Sequence, residues 1–323
     1  MNPVTHRIFV GVVVAQSVIV VTGGLVRLTG SGLGCPTWPT CAAGSYVPTL
    51  KQAEGIHSYI EFGNRLLTFV LTAVVFAAVV AAWRHRPRRR DLIVLAGLQL
   101  LGVAIQAIMG GITVLTGLHP ATVAAHFLVS MVLIAGAVVL LEVSGRGRDR
   151  RKTAAAMDGA DRSDYRGGVR GEAVRAEVRW LGAALLVVAA LVLAVGTVVT
   201  GSGPHSGDAA QPARFGLDPQ TVSGLHAGLA FLFLGLALAM VLALRLTDAP
   251  LRARRRAAAV LAVIVAQGAV GYAQYFTGLP AALVALHMIG ACLVVITTAR
   301  LRLALRPEPV PVGAPPDLAA ATR

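Results

Sequence analysis

Uninterrupted apolar runs recur along the whole chain, and short polar stretches separate them. Several runs reach about 18 residues or more without a charged side chain, which is the length and composition of a membrane-spanning helix. We therefore predict an all-α integral membrane protein with eight transmembrane helices. The predicted spans are 8–28, 58–83, 92–116, 120–142, 180–201, 222–244, 257–278 and 281–303.

The charged residues are few and unevenly placed. They make up 14% of the chain, against about 25% in an average soluble domain. Eight spans put both termini on one side, and all but four of the 29 Lys and Arg residues lie on that side. Since positively charged loops face the cytoplasm, we predict cytoplasmic N- and C-termini in the cell (plasma) membrane. The net charge of +14 is thus a topology signal in a lipid bilayer and does not indicate nucleic-acid binding. The four Lys and Arg residues predicted on the other side of the membrane are Arg27, Lys51, Arg65 and Arg214.

The two halves of the chain resemble each other. Six residues of the third and fourth spans recur in the seventh and eighth at an offset of 161, and an offset of 162 sends Asn64 to His226. Both halves cross in the same direction, so we predict a parallel internal repeat. The predicted parts are an N-terminal four-helix half (1–142), a basic, mobile cytoplasmic linker (143–179), a C-terminal four-helix half (180–303) and a disordered cytoplasmic tail (304–323). The six pairs of residues that recur at the offset of 161 are Gln106 and Gln267, Gly110 and Gly271, Thr116 and Thr277, Gly117 and Gly278, Leu118 and Leu279, and His126 and His287.

The chain has three cysteines, and two of them lie close together. Cys35 and Cys41 fall in the first outer loop, an oxidising location in which a disulfide persists, and the residues between them include two prolines. We predict a disulfide between them, either structural or redox-active. Cys292 lies alone in the last span and is interpreted as core packing.

Three histidines lie inside predicted spans at a similar depth. His126, His226 and His287 follow the outer starts of their even-numbered spans by six, four and six residues, which puts each about 10 Å or less below the outer end of its helix. Two imidazoles on separate helices suit the axial positions of a haem iron. Zinc would need further N, S or O ligands, which the apolar surroundings do not supply. We predict a haem b site with His226 and His287 as ligands, although a lone intramembrane His can instead form a helix–helix hydrogen bond.

The first half offers a different pair at the same depth. His126 is a candidate iron ligand, but the position opposite it holds Asn64, and an amide is a poor iron ligand. Such a site leaves one face of an iron open or weakly held, which suits O₂ chemistry. His57 lies seven residues before Asn64 on the same helical face, and it is interpreted either as a further group near this site or as an interfacial loop residue.

Three charged residues accompany this site. Glu61 lies three residues before Asn64 inside the second span, where a carboxylate is costly. It is interpreted either as a functional proton-handling group or as the ion-pair partner of Arg65 or Arg27. Both arginines are in turn candidate contacts for haem propionates, or they extend to the membrane interface.

These residues stand in segments that resemble the haem A synthase family, and the resemblance covers all eight spans. It implies two four-helix halves, with a haem b cofactor held by His226 and His287 in the second and a substrate haem in the first. It further implies that Glu61 is important for turnover and that the outer cysteine pair forms a disulfide. Where this chain has Asn64, the family usually has His. The segments are Gly23-Gly-Leu-Val-Arg-Leu-Thr-Gly-Ser-Gly-Leu33, Cys35-Pro-Thr-Trp-Pro-Thr-Cys41, Glu61 three residues before the ligand position, Thr200-Gly-Ser-Gly-Pro-His205, and Gly271-Tyr-Ala-Gln-Tyr-Phe-Thr-Gly-Leu-Pro280 followed by His287.

The resemblance implies a haem A synthase, which oxidises a ring methyl of haem O to the formyl group of haem A with O₂ for cytochrome oxidase assembly. The implied partners are an electron donor, haem O synthase and cytochrome oxidase assembly proteins. Two alternatives remain open. A membrane dihaem cytochrome b would only carry electrons through two bis-His haems, and a haem transporter or chaperone would bind haem reversibly without needing Glu61.

Overall fold

The computed structural model describes residues 2–50, 52–85, 87–158, 174–205, 207–208 and 213–306, with only the backbone described for 146–158. Within these ranges the chain is all-helical, and eight helices are long and apolar enough to cross a membrane. This confirms the predicted fold class. The helices are α1 (Pro3–Leu28), α2 (Ile56–Arg84), α3 (Arg90–Leu115), α4 (Pro120–Asp158), α5 (Ala176–Ser202), α6 (Pro219–Leu246), α7 (Leu251–Phe276) and α8 (Ala281–Ala304).

The helix ends follow local capping chemistry. Asn2 accepts a hydrogen bond from Val4 N at 3.0 Å, and Asp218 accepts one from Thr221 N at 2.8 Å. In both helices a proline follows the cap, where its missing N–H costs nothing. These caps explain why α1 and α6 begin earlier than the hydrophobic pattern alone predicts.

The predicted linker is partly helical. α4 continues to Asp158 and α5 begins at Ala176, so helix extends into both ends of the segment 143–179. Residues 159–173, at the centre of that segment, and residues 307–323 of the predicted tail lie outside the described residues.

Tight turns join α3 to α4 and α7 to α8 with the same backbone conformation. Gly117 and Leu118 have φ of 61° and 58°, and Gly278 and Leu279 have φ of 77° and 60°. Leucine at positive φ costs about 1–2 kcal/mol. At Leu118 burial offsets that cost, because its side chain is 8% exposed and packs against Gly32 in the loop after α1.

Helices that are neighbours in sequence pack against each other, and further contacts join the two halves of the chain. α1, α2, α3 and α4 contact one another in a ring, as do α5, α6, α7 and α8, while α4 and α1 also contact α8 and α4 contacts α5. One apolar core lies among α1–α4 with Ala299 and Leu303 from α8. A second lies within the α5–α8 half. A third, small cluster lies between the halves around Met131, Ile134 and Cys292.

We use "outer end" for the end of the bundle at which α1 ends and α2 begins, and "inner end" for the opposite one. At the inner end, Glu142 of α4 accepts hydrogen bonds from Arg252 (2.8 Å), Arg256 (2.6 Å) and Arg300 (2.9 Å). The Glu142 side chain is only 8% exposed. One buried carboxylate of the first half thus holds three guanidinium groups of the second, a cluster that we call the inner ion cluster.

Candidate functional site

The rings of His226 on α6 and His287 on α8 are neighbours in an edge-to-face arrangement. Their centroids are 6.4 Å apart and their planes make an angle of 67°. His226 lies seven residues after the start of α6, and His287 lies six residues after the start of α8. Both therefore lie about 10 Å below the outer ends of their helices, as the sequence predicts.

This spacing fits an iron between the two imidazoles. A metal–imidazole bond of about 2 Å, with about 1 Å more to the ring centre, puts opposed centroids roughly 6–6.5 Å apart. Within the described ranges, no group of three or more His, Cys, Asp or Glu side chains is placed to hold a metal. Nδ1 of His287 is buried without a hydrogen-bond partner among the described residues. A buried polar atom that the protein leaves unpaired is one that a ligand can engage.

Glycines on the preceding helices make room for both rings. A Cβ at Gly196 of α5 would lie 3.1 Å from Cε1 of His226, and one at Gly271 of α7 would lie 3.6 Å from Cε1 of His287. Gln267 of α7 also donates a hydrogen bond to the His287 carbonyl at 2.9 Å. The amide therefore fixes the backbone of the α8 turn that carries the imidazole.

His126 in the first half shares two kinds of neighbour with His287, a glycine and a glutamine of the preceding helix. A Cβ at Gly110 would lie 3.6 Å from its Cε1, and Gln106 donates to its carbonyl at 3.0 Å. Ser130, one turn later, donates to the same carbonyl at 3.0 Å. Nδ1 of His126 is likewise buried and unpaired. The two Gln–His pairs explain physically why these residues recur at one offset in the sequence.

Asn64 of α2 lies against Gly23 of α1, where a Cβ would be 3.7 Å from its Nδ2. Its Oδ1 is buried without a hydrogen-bond partner in the described structure. The side chain lines a groove of about 250 Å³ between α1 and α2, together with Thr22, Leu25, Val26, Thr29, Ile60, Gly63 and Leu67. Asn64 thus leaves an unused acceptor at a small, mostly apolar opening between two helices.

Glu61 and Arg65 form an ion pair, one of the two interpretations that the sequence offers for Glu61. Arg65 donates to Glu61 Oε1 from Nε at 3.1 Å and from Nη2 at 2.7 Å. Glu61 is 6% exposed, and its Oε2 accepts a hydrogen bond from Cys35 N at 2.6 Å. Cys35 and Cys41 are joined by a disulfide, which confirms the predicted bridge. The structure thus brings Glu61, Arg65 and both cysteines into one assembly.

Arg27 and His57 lie at the outer end but face other partners. Arg27 donates to the carbonyls of His205 (2.6 Å) and Thr200 (3.2 Å), so it connects α1 to the end of α5 and the loop that follows. His57 lies within the first turn of α2 and shares a hydrogen bond of 2.8 Å with the Ser31 hydroxyl. Both residues thus hold outer loops in place.

Two contacts of the disulfide loop were missed by sequence reasoning. The indole of Trp38 packs against Gly111 of α3, where a Cβ would lie 2.6 Å from Cε2 of the ring. Gln52 donates to the Gly34 carbonyl at 2.7 Å. The adjacent glycines Gly110 and Gly111 indicate that a bulky side chain could pack against α3. Nothing in the sequence identifies Trp38 as that side chain.

Comparison with known proteins identifies a family and similar curated proteins. The family model described as COX15-CtaA, cytochrome oxidase assembly protein, matches residues 6–299. A heme A synthase of Halalkalibacterium halodurans is 34% identical over 128 residues, which are 39% of this chain and 42% of that protein. Heme A synthases of Bacillus pumilus and Bacillus mycoides are 33% and 34% identical over 125 and 124 residues, each 38% of this chain and 39% of the relative. The chain thus spans about two fifths of the length of the curated relatives that it matches.

Proposed function

Because the chain belongs to the COX15-CtaA family of cytochrome oxidase assembly proteins, we propose that it is a haem A synthase. The reaction is oxidation of a ring methyl of haem O to the formyl group of haem A, with O₂ as oxidant and electrons from a separate donor. The observation that carries the proposal is the neighbouring pair His226 and His287, whose ring centroids are 6.4 Å apart, in a chain with a second imidazole site around His126.

The second half would hold haem b between His226 and His287. When bound, this cofactor supplies one-electron redox chemistry. The protein's own contribution is orientation, because Gln267 fixes the carbonyl of His287 and Gly196 leaves space beside His226. A ring held in this way keeps its nitrogen directed at one point, which favours tight and symmetrical ligation.

The first half would hold the substrate haem, with His126 as its iron ligand. Asn64, at the position that corresponds to His226, would be at most a weak ligand of that haem, and its side chain lines the groove between α1 and α2. Glu61 is the buried carboxylate nearest in sequence to Asn64, and in this role it accepts or donates the protons that oxidation of a methyl group requires. The disulfide loop, whose Cys35 and Cys41 are fully buried, excludes water from the outer end of the site.

The wider assignment follows from the same reasoning. The protein would be a multi-pass protein of the cell membrane with cytoplasmic termini, and its haem layer would lie near the outer face. The halves 1–142 and 180–303 would hold the substrate haem and haem b. Haem O synthase and cytochrome oxidase assembly proteins are the proposed partners, since one supplies the substrate and the others use the product.

The test is expression together with a haem O synthase in a host without its own haem A, followed by analysis of extracted haems. We expect haem A under aeration, whereas only haems B and O from folded, haem-loaded protein would contradict the proposal. Glu61→Gln is the matched variant, expected to keep the haem b spectrum and to lose haem A. Undiminished function in that variant would favour a transporter, and two bis-His haem spectra without haem A would favour an electron carrier.

A further inference from the structure

Arg65 uses every nitrogen of its guanidinium group. Besides the two hydrogen bonds to Glu61, Nη1 donates to the Thr40 carbonyl at 3.0 Å. Nη2 donates to the carbonyls of Cys35 at 2.9 Å and Thr37 at 3.1 Å. A guanidinium has five N–H groups in a fixed fork, and here its nitrogens reach one carboxylate oxygen and three carbonyls of the disulfide loop, with the two N–H groups of Nη2 shared among three of these acceptors.

The loop is held from the carboxylate side as well. Glu61 Oε2 accepts the Cys35 amide at 2.6 Å while Oε1 accepts Arg65. The ion pair therefore connects to the loop at four backbone groups, three through the guanidinium and one through the carboxylate. Charge-assisted hydrogen bonds of this kind are about twice as strong as neutral ones, and Glu61 is almost fully buried, so the pair is weakly screened.

The other anchors of the loop lie around this connection and do not replace it. Trp38 rests on Gly111 of α3, and Gly34 packs against the first turn of α2 at the His57 carbonyl. Both are packing contacts, and Gln52 adds one hydrogen bond to the Gly34 carbonyl, whereas Arg65 and Glu61 together reach four backbone groups of the loop. Cys35 and Cys41 are both 0% exposed, so the loop must open before a reagent reaches the disulfide.

We propose that Arg65 is a positioning residue, which fixes the Glu61 carboxylate to the Cys35–Cys41 loop and thereby keeps the outer end of the first-half site closed. As a candidate propionate contact, Arg65 would have to give up these loop carbonyls, and the geometry favours the loop. The part of the inference that concerns catalysis rests on the proposed function, because it assumes that Glu61 serves the reaction.

The closing of the loop is tested on the purified protein by its rate of reduction with dithiothreitol. In this exchange the two thiols of the reagent become its cyclic disulfide, the Cys35–Cys41 bond breaks, and two cysteine thiols form. Alkylation after denaturation then adds three labels to the reduced protein and one, at Cys292, to the oxidised protein. Arg65→Gln should raise the rate at least tenfold, and Arg302→Gln, at the inner end of α8, should leave it unchanged.

Two further variants make the result specific. Arg65→Lys keeps the charge but not the fork, so its reduction rate should lie between those of the wild type and Arg65→Gln, at least threefold above the wild type. The double variant Arg65→Gln/Glu61→Gln should be reduced more slowly than the product of the two single-variant effects predicts, because the two residues share one connection to the loop. If Arg65→Gln does not yield haem-loaded protein, Arg65→Lys carries the test, and a wild-type rate in either variant overturns the proposal.

The effect on Glu61 is measured separately, as the ratio of haem A to haem O in cells that also make haem O. We expect Arg65→Gln to lower the ratio at least tenfold while the haem b spectrum persists, and Arg65→Lys to restore part of it. A faster reduction with an unchanged haem ratio would overturn the positioning of Glu61. If the wild type makes no haem A, the proposed function fails, and the reduction rates still decide whether Arg65 holds the loop.

Discussion

Replacement of Glu142 by Gln should destabilise the protein strongly, because this one side chain holds the inner ion cluster together. The variant keeps the shape of the side chain but removes the negative charge, and it leaves three arginines close together. Arg256 is 12% exposed in its side chain, whereas Arg252 and Arg300 are about half exposed, at 49% and 50%.

The expected magnitude follows from these exposures. A hydrogen bond to a charged, buried partner contributes about 1.5–3 kcal/mol, which applies to Arg256, and each half-exposed pair adds about 0.5 kcal/mol. The loss is therefore about 3 kcal/mol, which corresponds to roughly 5–10 °C in the unfolding temperature of a chain of this size. Because membrane proteins often unfold irreversibly, variants are compared at one heating rate.

The chain carries its own probe for this measurement. Cys292 is free and 3% exposed, so a thiol-reactive fluorophore labels it only when the bundle opens. The matched control is Asp248→Asn, which removes a carboxylate paired with Arg254 at 2.9 Å. Its side chain is 82% exposed and its φ of 48° suits Asn, so the change should be under about 0.5 kcal/mol. Equal shifts for the two variants would refute the view that burial gives the inner ion cluster its strength.

Three further predictions concern the proposed haem sites. His226→Ala and His287→Ala should each abolish the absorption spectrum of low-spin haem b, and low-spin haem in both variants would contradict the ligand pair. Gly196→Ala should weaken haem b retention several-fold, because its Cβ would lie 3.1 Å from the His226 ring. Gly271→Ala should change haem b retention little, because its Cβ would lie 3.6 Å from the His287 ring. Titration of the two apoproteins with haemin compares their affinities. Asn64→His should shift the spectrum of bound haem O towards bis-His ligation, and an unchanged spectrum would mean that residue 64 does not face the iron.

The hydrophobic pattern was sufficient to locate all eight helices but not their ends. The start of α1 at Pro3 depends on the Asn2 cap, which lies outside the apolar run. The continuation of α4 beyond residue 142 passes through Arg- and Gly-rich sequence that carries no apolar period. Periodicity reports the surface that a helix buries, so it is silent where a helix continues into polar sequence.

Sequence spacing predicted part of the first-half site. One of the two interpretations of Glu61 was an ion pair with Arg65 or Arg27, and the pair with Arg65 forms. The contacts of Arg65 with Thr37 and Thr40 were not predictable, because they join a guanidinium to backbone carbonyls that every residue possesses. Glu142 was missed for a related reason: at the end of a span it resembles an ordinary interfacial carboxylate, and its partners lie 110–158 residues further along the chain.

That separation has a consequence for how the protein is made. Synthesis at about 5–20 residues per second means that Glu142 is inserted several seconds or more before Arg252, Arg256 and Arg300 are available to meet it. During that interval the carboxylate lacks its counterions, and burying it would be costly. The first four helices therefore complete their inner end only after α8 has been added, so a ribosome stalled within the last two helices would leave the N-terminal half unfinished as well.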